Sequence, residues 1–201
     1  MKKLILGLTG LYCAGKNHIA SIIEKKGIPV LDVDKLGFKV IDMEEKTITG
    51  RFGNDILGGD GKIDRKLLGS KVFGRPEELK ALEAIIHPAV NRETSAWIAG
   101  RKEGICVINA ALLHRSSAFE KLDAIILVEA PFLVRLFRAK KRDKLPWRAI
   151  LKRFRSQNDF YSQYLKGKTD IYRVGNSGNF FQKKEKPEAR INEILEESGR
   201  V

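Results

Sequence analysis

One short stretch constrains this chain more than any other: an apolar run that ends in a glycine–lysine loop. Residues 3–9 (KLILGLT) are mostly apolar and close on Gly10, the pattern of a buried strand. Gly10-Leu11-Tyr12-Cys13-Ala14-Gly15-Lys16-Asn17 then matches G-x-x-x-x-G-K, with Asn where the motif takes Ser or Thr. Residues 15–26 place Ile19, Ile22 and Ile23 at helical spacing, and Gly27 is a natural stop. Residues 28–33 (IPVLDV) read as a second strand. Strand, loop, helix and strand within about thirty residues is the size of a βαβ unit, which requires parallel strands and a right-handed crossover.

The loop carries specific chemistry. Glycines let the backbone curl so that successive N–H groups face one phosphate, and the helix N-terminus adds positive potential. Lys16 is placed to reach the β- and γ-phosphates of a nucleotide, and Gly10, Leu11, Tyr12, Cys13, Ala14, Gly15 and Asn17 complete the candidate loop contacts. The hydroxyl of the usual motif ligates Mg²⁺; here the amide oxygen of Asn17 is the candidate ligand. Cys13 stands where a helix N-terminus and Lys16 favour a thiolate, which makes it a candidate reactive thiol.

Further buried-strand runs follow at 105–108 (ICVI) and 124–129 (AIILVE), with a weaker one at 170–174 (DIYRV) before a turn at Asn176-Ser177-Gly178. Helical patterns cover 64–73, 76–99, 131–143, 146–165 and 187–197, Pro76 being well placed to start the second. The expected fold is therefore α/β, a parallel-sheet P-loop core interrupted by two helical insertions. Residues 1–34, 101–130 and 169–201 make the nucleotide-binding core, and 35–100 and 131–168 are the two helical insertions.

Thirty-eight basic residues oppose 25 acidic ones, a net charge of +13 that calls for an anionic partner: nucleotides, nucleic acid or an acidic membrane face. The basic clusters at 135–142 and 152–155 are of a kind that is usually a solvated helix face, and no nucleic-acid-binding motif accompanies them. Two cysteines, Cys13 and Cys106, give no disulfide framework and point to a reducing compartment. The N-terminal apolar stretch is too short for a signal peptide, and no run approaches the ~18 residues of a membrane span. The expectation is a cytoplasmic protein with no membrane and no specific nucleic-acid partner.

Several later segments narrow this frame. Asp32-Val33-Asp34 ends the second strand, and Phe52-Gly53-Asn54-Asp55-Ile56-Leu57 and Asp60-Gly61-Lys62-Ile63-Asp64-Arg65 come next. Val72-Phe73 and Ile86-His87-Pro88 then complete a series. Together these resemble the ordered signature of the dephospho-CoA kinases: phosphate loop, D-x-D, F-G-x-x-I-L, D-G-x-[LVI]-x-R, V-F and I-H-P. The resemblance continues more faintly through Arg138, Arg142-Asp143, Gln157 and Asn176-Ser177-Gly178.

The resemblance implies ATP-dependent phosphorylation of the 3′-hydroxyl of dephospho-coenzyme A, with ATP as co-substrate and Mg²⁺ as metal, and it makes 35–100 a helical acceptor-substrate domain and 131–168 a helical lid. It makes Asp34 the carboxylate that orients or deprotonates the attacking hydroxyl, and Arg65 and His87 contacts of the acceptor. Arg138 and Arg142 become lid arginines that close over the ATP phosphates, and Asn176 part of the turn at the adenine. Each position also has a plainer role open to it: Asp34 as a helix N-cap before 35–40, Asp64-Arg65 as a capped helix start, His87 as a cap at a helix end, and 176–178 as a turn. Asp32 reads as structural or as a group behind the metal.

Three departures from the family pattern stand out. Asn17 replaces the metal-binding hydroxyl, Leu11 and Cys13 replace small loop residues, and Asn109-Ala110-Ala111-Leu112-Leu113-His114-Arg115 stands where the family has Pro-Leu-Leu and an acidic residue. They leave open a degenerate member that binds nucleotide or coenzyme A without turnover. A P-loop kinase for another small acceptor is a further alternative, since the loop does not identify the acceptor. A nucleic-acid-binding module is allowed by charge alone.

Overall fold

Short runs rich in Ile, Val and Leu, bounded by Gly or polar turns, suit strands buried on both faces. In the computed structural model, described for residues 3–157, 159–165, 169–177 and 186–199, they form a five-stranded parallel sheet. Its strands are β1 (Lys3–Gly10), β2 (Val30–Asp32), β3 (Gly104–Asn109), β4 (Ala124–Glu129) and β5 (Asp170–Gly175), in the order β2-β3-β1-β4-β5. β1 sits at the centre, pairing in parallel with β3 (Leu6 opposite Val107) and with β4 (Leu8 opposite Ile126). In open parallel sheets ligands bind beyond the carboxyl ends of such strands, where the connections part to opposite sides. The loop after β1 opens there.

Helix α1 (Lys16–Lys25) follows that loop directly. Ile19, Ile22 and Ile23 of α1 form one core with Leu6, Leu8, Val107, Ile126 and Val174 of the sheet, and with Ile191 and Ile194 of the last helix. The helices after α1 are α2 (Val33–Met43), α3 (Glu45–Phe52), α4 (Arg65–Val72), α5 (Pro76–Ala99), α6 (Phe132–Asp143), α7 (Trp147–Arg155), α8 (Phe160–Leu165) and α9 (Pro187–Gly199). Among the described residues none is long and apolar enough to cross a membrane.

By its contacts the chain divides into two compact units, residues 1–31 with 101–201, and residues 32–100. The second is helical, with a core of Ile48, Phe52, Ile56, Ile63, Leu68, Val72 and Leu82. Between α3 and α4 its chain makes a 3₁₀ turn (Asn54–Ile56) and a tight reversal that bridges Leu57 to Ile63.

Four sequence expectations change. The strand expected over 28–33 shrinks to Val30–Asp32, because Asp32 caps α2: its carboxylate accepts from the Lys35 amide at 3.0 Å. The cap expected of Asp34 thus belongs to Asp32, and Asp34 lies in the first helical turn. The helix expected over 146–165 is two helices, α7 and α8. Finally, His87-Pro88 lies inside α5, not at a helix end. An interior Pro costs about 3 kcal/mol or more, but α5 buries Leu82, Ala89, Thr94 and Ile98 on both sides of it, and that burial carries the helix through.

Candidate functional site

The loop between β1 and α1 is held by its backbone conformation and by two side chains from distant elements. Cys13 and Gly15 are both left-handed, at φ 60° and 94°. Gly15 has a second reason to be glycine: a Cβ there would stand 2.0 Å from Asn176 Nδ2. The carbonyl of buried Ala14 accepts from Asn176 Nδ2 at 2.9 Å and from Arg138 Nη1 at 3.2 Å. Asn176 is itself fixed at the end of the sheet, its N–H donating to the Glu129 carbonyl at 2.7 Å. No side chain caps α1, so the positive end of the helix faces the loop. Gly178, the last residue of the expected turn, lies outside the described residues.

Tyr12 ties the loop to α6 and α7. Its hydroxyl is hydrogen-bonded to Asp143 and lies 3.3 Å from Arg153 Nη1, and its amide donates to Gln157 Oε1 at 2.7 Å. Its ring lies under the Arg142 guanidinium, 5.3 Å from the centroid, and edge-on to Phe154. Asp143 joins the cluster, pairing with Arg142 at 2.7 Å and Arg153 at 2.9 Å. Arg142 beside it holds the Asp143 carboxyl below the ordinary carboxylate range, against the opposing effect of burial. The same bond raises Arg142. Burial, then Asp143, pushes the Tyr12 phenol up, so it remains a neutral donor.

Cys13 does not fit the reactive thiol its position suggested. Burial raises its pKa and outweighs the lowering by Arg142, Arg138 and Arg135.

At the start of α1, Asn17 Oδ1 accepts from Asn109 Nδ2, at 3.4 Å, from the last residue of β3. Asn109 is buried, and its own Oδ1 has no hydrogen-bond partner. Magnesium takes oxygen ligands, keeps several waters and needs only one or two protein groups besides nucleotide phosphates. An exposed amide oxygen beside an unsatisfied buried one fits that demand, although both are neutral. Among the described residues no group of three or more His, Cys, Asp or Glu is arranged to hold a metal. The altered segment after β3 is largely packing: Leu113 is fully buried, and His114 Nδ1 lies 3.1 Å from the hydroxyl of buried Tyr164.

The expected site residues fall in both units. Lys16, Asn17, Arg138, Arg142 and Asn176 belong to the sheet-bearing unit, and Arg138 and Asn176 meet at the loop. Asp34, Arg65 and His87 belong to the helical unit. There Asp64 caps α4, its carboxylate accepting from the Lys66 and Leu67 amides, and Arg65 follows as the first helical residue. The Arg65 guanidinium lies 4.7 Å from the Phe38 ring centroid and 3.5 Å from Asp42. Asp34, Phe38 and Asp42 recur every four residues, so they share one face of α2. Exposed Asp34 therefore lies on the helix face that holds Arg65. His87 is exposed in mid-α5.

Sequence reasoning named Tyr12 as a loop contact, Asp143 in the family series and Asn109 in the departing segment, but it missed Phe38, Arg153, and the pairings of Tyr12 with Asp143 and of Asn17 with Asn109. An aromatic in a loop that normally takes small residues was the available signal for Tyr12. Asn109 opens the segment that departs from the family pattern, but nothing local joins it to Asn17.

The family model for dephospho-CoA kinase matches residues 4–177. The dephospho-CoA kinase of Treponema denticola is 35% identical over 172 residues, covering 81% of this chain and 77% of the relative. The chain belongs to the dephospho-CoA kinase family. The enzyme of the same name from Xanthomonas campestris pv. campestris is 36% identical over 148 residues, covering 71% of this chain and 72% of its own. A solved structure from Thermus thermophilus superposes with a TM-score of 0.79 at 29% identity, covering 98% of each chain. A dephospho-CoA kinase from Campylobacter jejuni superposes at 0.68 over 99% of each chain; at 23% identity that likeness speaks to the fold. Membership makes this chain a phosphotransferase acting on dephospho-CoA.

Proposed function

We propose that the chain transfers the γ-phosphoryl group of ATP to the ribose 3′-hydroxyl of dephospho-coenzyme A, the last step of coenzyme A formation. The observation that carries the reading is the Arg138 guanidinium at the phosphate loop, 3.2 Å from the Ala14 carbonyl. A cation delivered by a separate helix to a loop of this kind suits a nucleotide whose phosphates gain charge in transfer.

In-line transfer leaves the protein mainly positioning and charge neutralisation. Loop amides and Lys16 hold the β- and γ-phosphates, and Arg138 and Arg142 neutralise charge on the transferred group. Asp34 orients the acceptor hydroxyl and takes its proton as the new O–P bond forms and the bond to ADP breaks. Arg65 and His87 hold the acceptor, the guanidinium fork suiting its phosphates. Asn176 sets the floor of the loop and borders the adenine. Mg²⁺ would be held through Asn17 and would supply charge compensation for the nucleotide phosphates. Residues 35–100 serve as acceptor domain and 131–168 as lid. Two free cysteines accord with a reducing, cytoplasmic setting.

The test is ADP release with ATP, Mg²⁺ and dephospho-coenzyme A, with product mass confirmed. Asp34→Asn is expected to lower kcat by about 10²–10⁴-fold while leaving ATP binding in place. Equal turnover with an unrelated alcohol, or full activity in Asp34→Asn, overturns the reading. Asn17 motivates a second reading, a member that binds its ligands without turning them over. That reading holds if wild type binds ATP but forms no coenzyme A.

A further inference from the structure

Asn109 is the last residue of β3, opposite Leu8 of β1 and two positions short of Gly10 in register. It is 1% exposed, and its Oδ1 has no hydrogen-bond partner. Leaving a buried amide oxygen unpaired is destabilising, because its hydration is lost and nothing replaces it. Its Nδ2 meets one polar side chain, Asn17, at 3.4 Å. Two unusual features thus sit in contact: an unsatisfied buried amide at the end of a strand beside the loop, and an amide at the loop position that normally ligates metal.

P-loop enzymes divide the protein's share of the Mg²⁺ site between the loop hydroxyl and an Asp. In this chain the hydroxyl position is Asn17, and the polar side chain reaching it from the neighbouring strand is Asn109, not a carboxylate. We propose that Asn17 and Asn109 act together as a neutral amide pair that forms the protein's share of the divalent-cation site. Asn109 fixes the amide of Asn17 through its Nδ2. Its own unpaired Oδ1 serves as acceptor for the cation's hydration shell. An amide oxygen has two lone pairs, so Asn17 Oδ1 accepts from Asn109 and still has one to offer. Because neither group is charged, nucleotide phosphates supply nearly all of the countercharge. Metal binding then depends on nucleotide more steeply than at a carboxylate site.

The inference rests on the kinase reading only for the identity of the nucleotide. Its test needs no acceptor. Mn²⁺, as a spectroscopically visible stand-in for Mg²⁺, is titrated into the full chain with ATP and followed by electron paramagnetic resonance. ATP binding in EDTA is measured in parallel. Asn109→Leu, close in size but without polar atoms, is expected to weaken Mn²⁺ in the ternary complex about 10-fold or more and to leave metal-free ATP binding unchanged. Asn109→Asp is expected to tighten Mn²⁺ by about as much and to give binding without nucleotide. Asn17→Ser alone is expected to weaken Mn²⁺, and Asn17→Ser with Asn109→Asp to recover more than the two single effects sum to. Thermal unfolding of each variant confirms folding; if Asn109→Leu does not fold, Asn109→Asp and the double variant decide. Mn²⁺ affinity within twofold of wild type in the folded Asn109 variants overturns the pair. The kinase reading fails separately: Asn109-dependent metal binding with no coenzyme A formed discards that reading and keeps the pair.

Discussion

Gly15 and Gly27 both have left-handed backbones, φ 94° and 78°, but only Gly15 is crowded by another element. A Cβ on Gly27 meets nothing within 4 Å, whereas on Gly15 it would strike the Asn176 amide that supports the loop. Gly27→Ala is therefore expected to cost only the backbone penalty, about 1–2 kcal/mol. Gly15→Ala should cost more in chemical denaturation, and should also reduce ATP binding because Asn176 must leave Ala14. Equal losses in both variants would show that the close approach adds nothing. His114 offers a second test at this scale. Burial, then Arg115, holds its imidazole below the ordinary histidine value, so the folded protein binds its proton less readily than the unfolded chain. Stability from this source is complete above the unfolded value, ~6.5, and is lost as pH falls below that toward the folded one. Denaturation midpoints measured between pH 8 and 5 should fall with acidification, and His114→Gln should flatten that part of the curve.

The helical unit shows what a signature encodes. Phe52, Ile56, Ile63 and Val72, four positions of the motif series, are core residues, and Gly53 and Gly61 have φ of 91° and 76°. Much of that series specifies how α3 reverses into α4, with Asp64 capping the second helix. Removing the cap in Asp64→Ala should destabilise by about 1 kcal/mol. Ile56→Ala should cost about 2–5 kcal/mol through cavity formation. Urea unfolding checks both, and a larger loss for the cap than for the core position would reverse this assignment. The same contrast explains what was legible beforehand. β1, α1 and α5 follow from apolar period and from Pro and Gly punctuation, signals contained in each segment. The cap at Asp32 was misplaced by two residues because Asp32 and Asp34 have the same local propensity, and only the backbone turn at Val33 separates them. Tyr12 with Asp143, and Asn17 with Asn109, are 131 and 92 residues apart in sequence. No periodicity carries such pairings; they follow from the order of strands in the sheet and the descent of α6 and α7 onto the loop.

For the molecule as a whole, the charge is far from evenly spread. Residues 131–155 contain ten of its Lys and Arg residues and a single acid, Asp143. Asp143 is already engaged with Arg142 and Arg153, so it does little to offset the others. Arg138 and Arg142 of this segment meet the phosphate loop directly, while Arg148, Lys152 and Arg155 surround an open groove of about 460 Å³ floored by Pro146 and Ala149. A positive field of this extent should draw polyphosphate ligands to the loop before any contact forms. Exposed charges are screened over about 10 Å at 0.1 M salt, so the attraction should fade with ionic strength while the short contacts at the loop persist. The expected result is a KM for ATP that rises severalfold between about 50 and 300 mM salt with kcat nearly unchanged. Arg148→Glu with Lys152→Glu, two positions without a contact to the loop among those described, should raise KM at low salt and have little effect at high salt. If kcat falls instead and KM stays level, these residues act on the chemical step or on lid movement, and the field plays no part in capture. If neither parameter responds to salt, the surplus charge serves something other than the nucleotide.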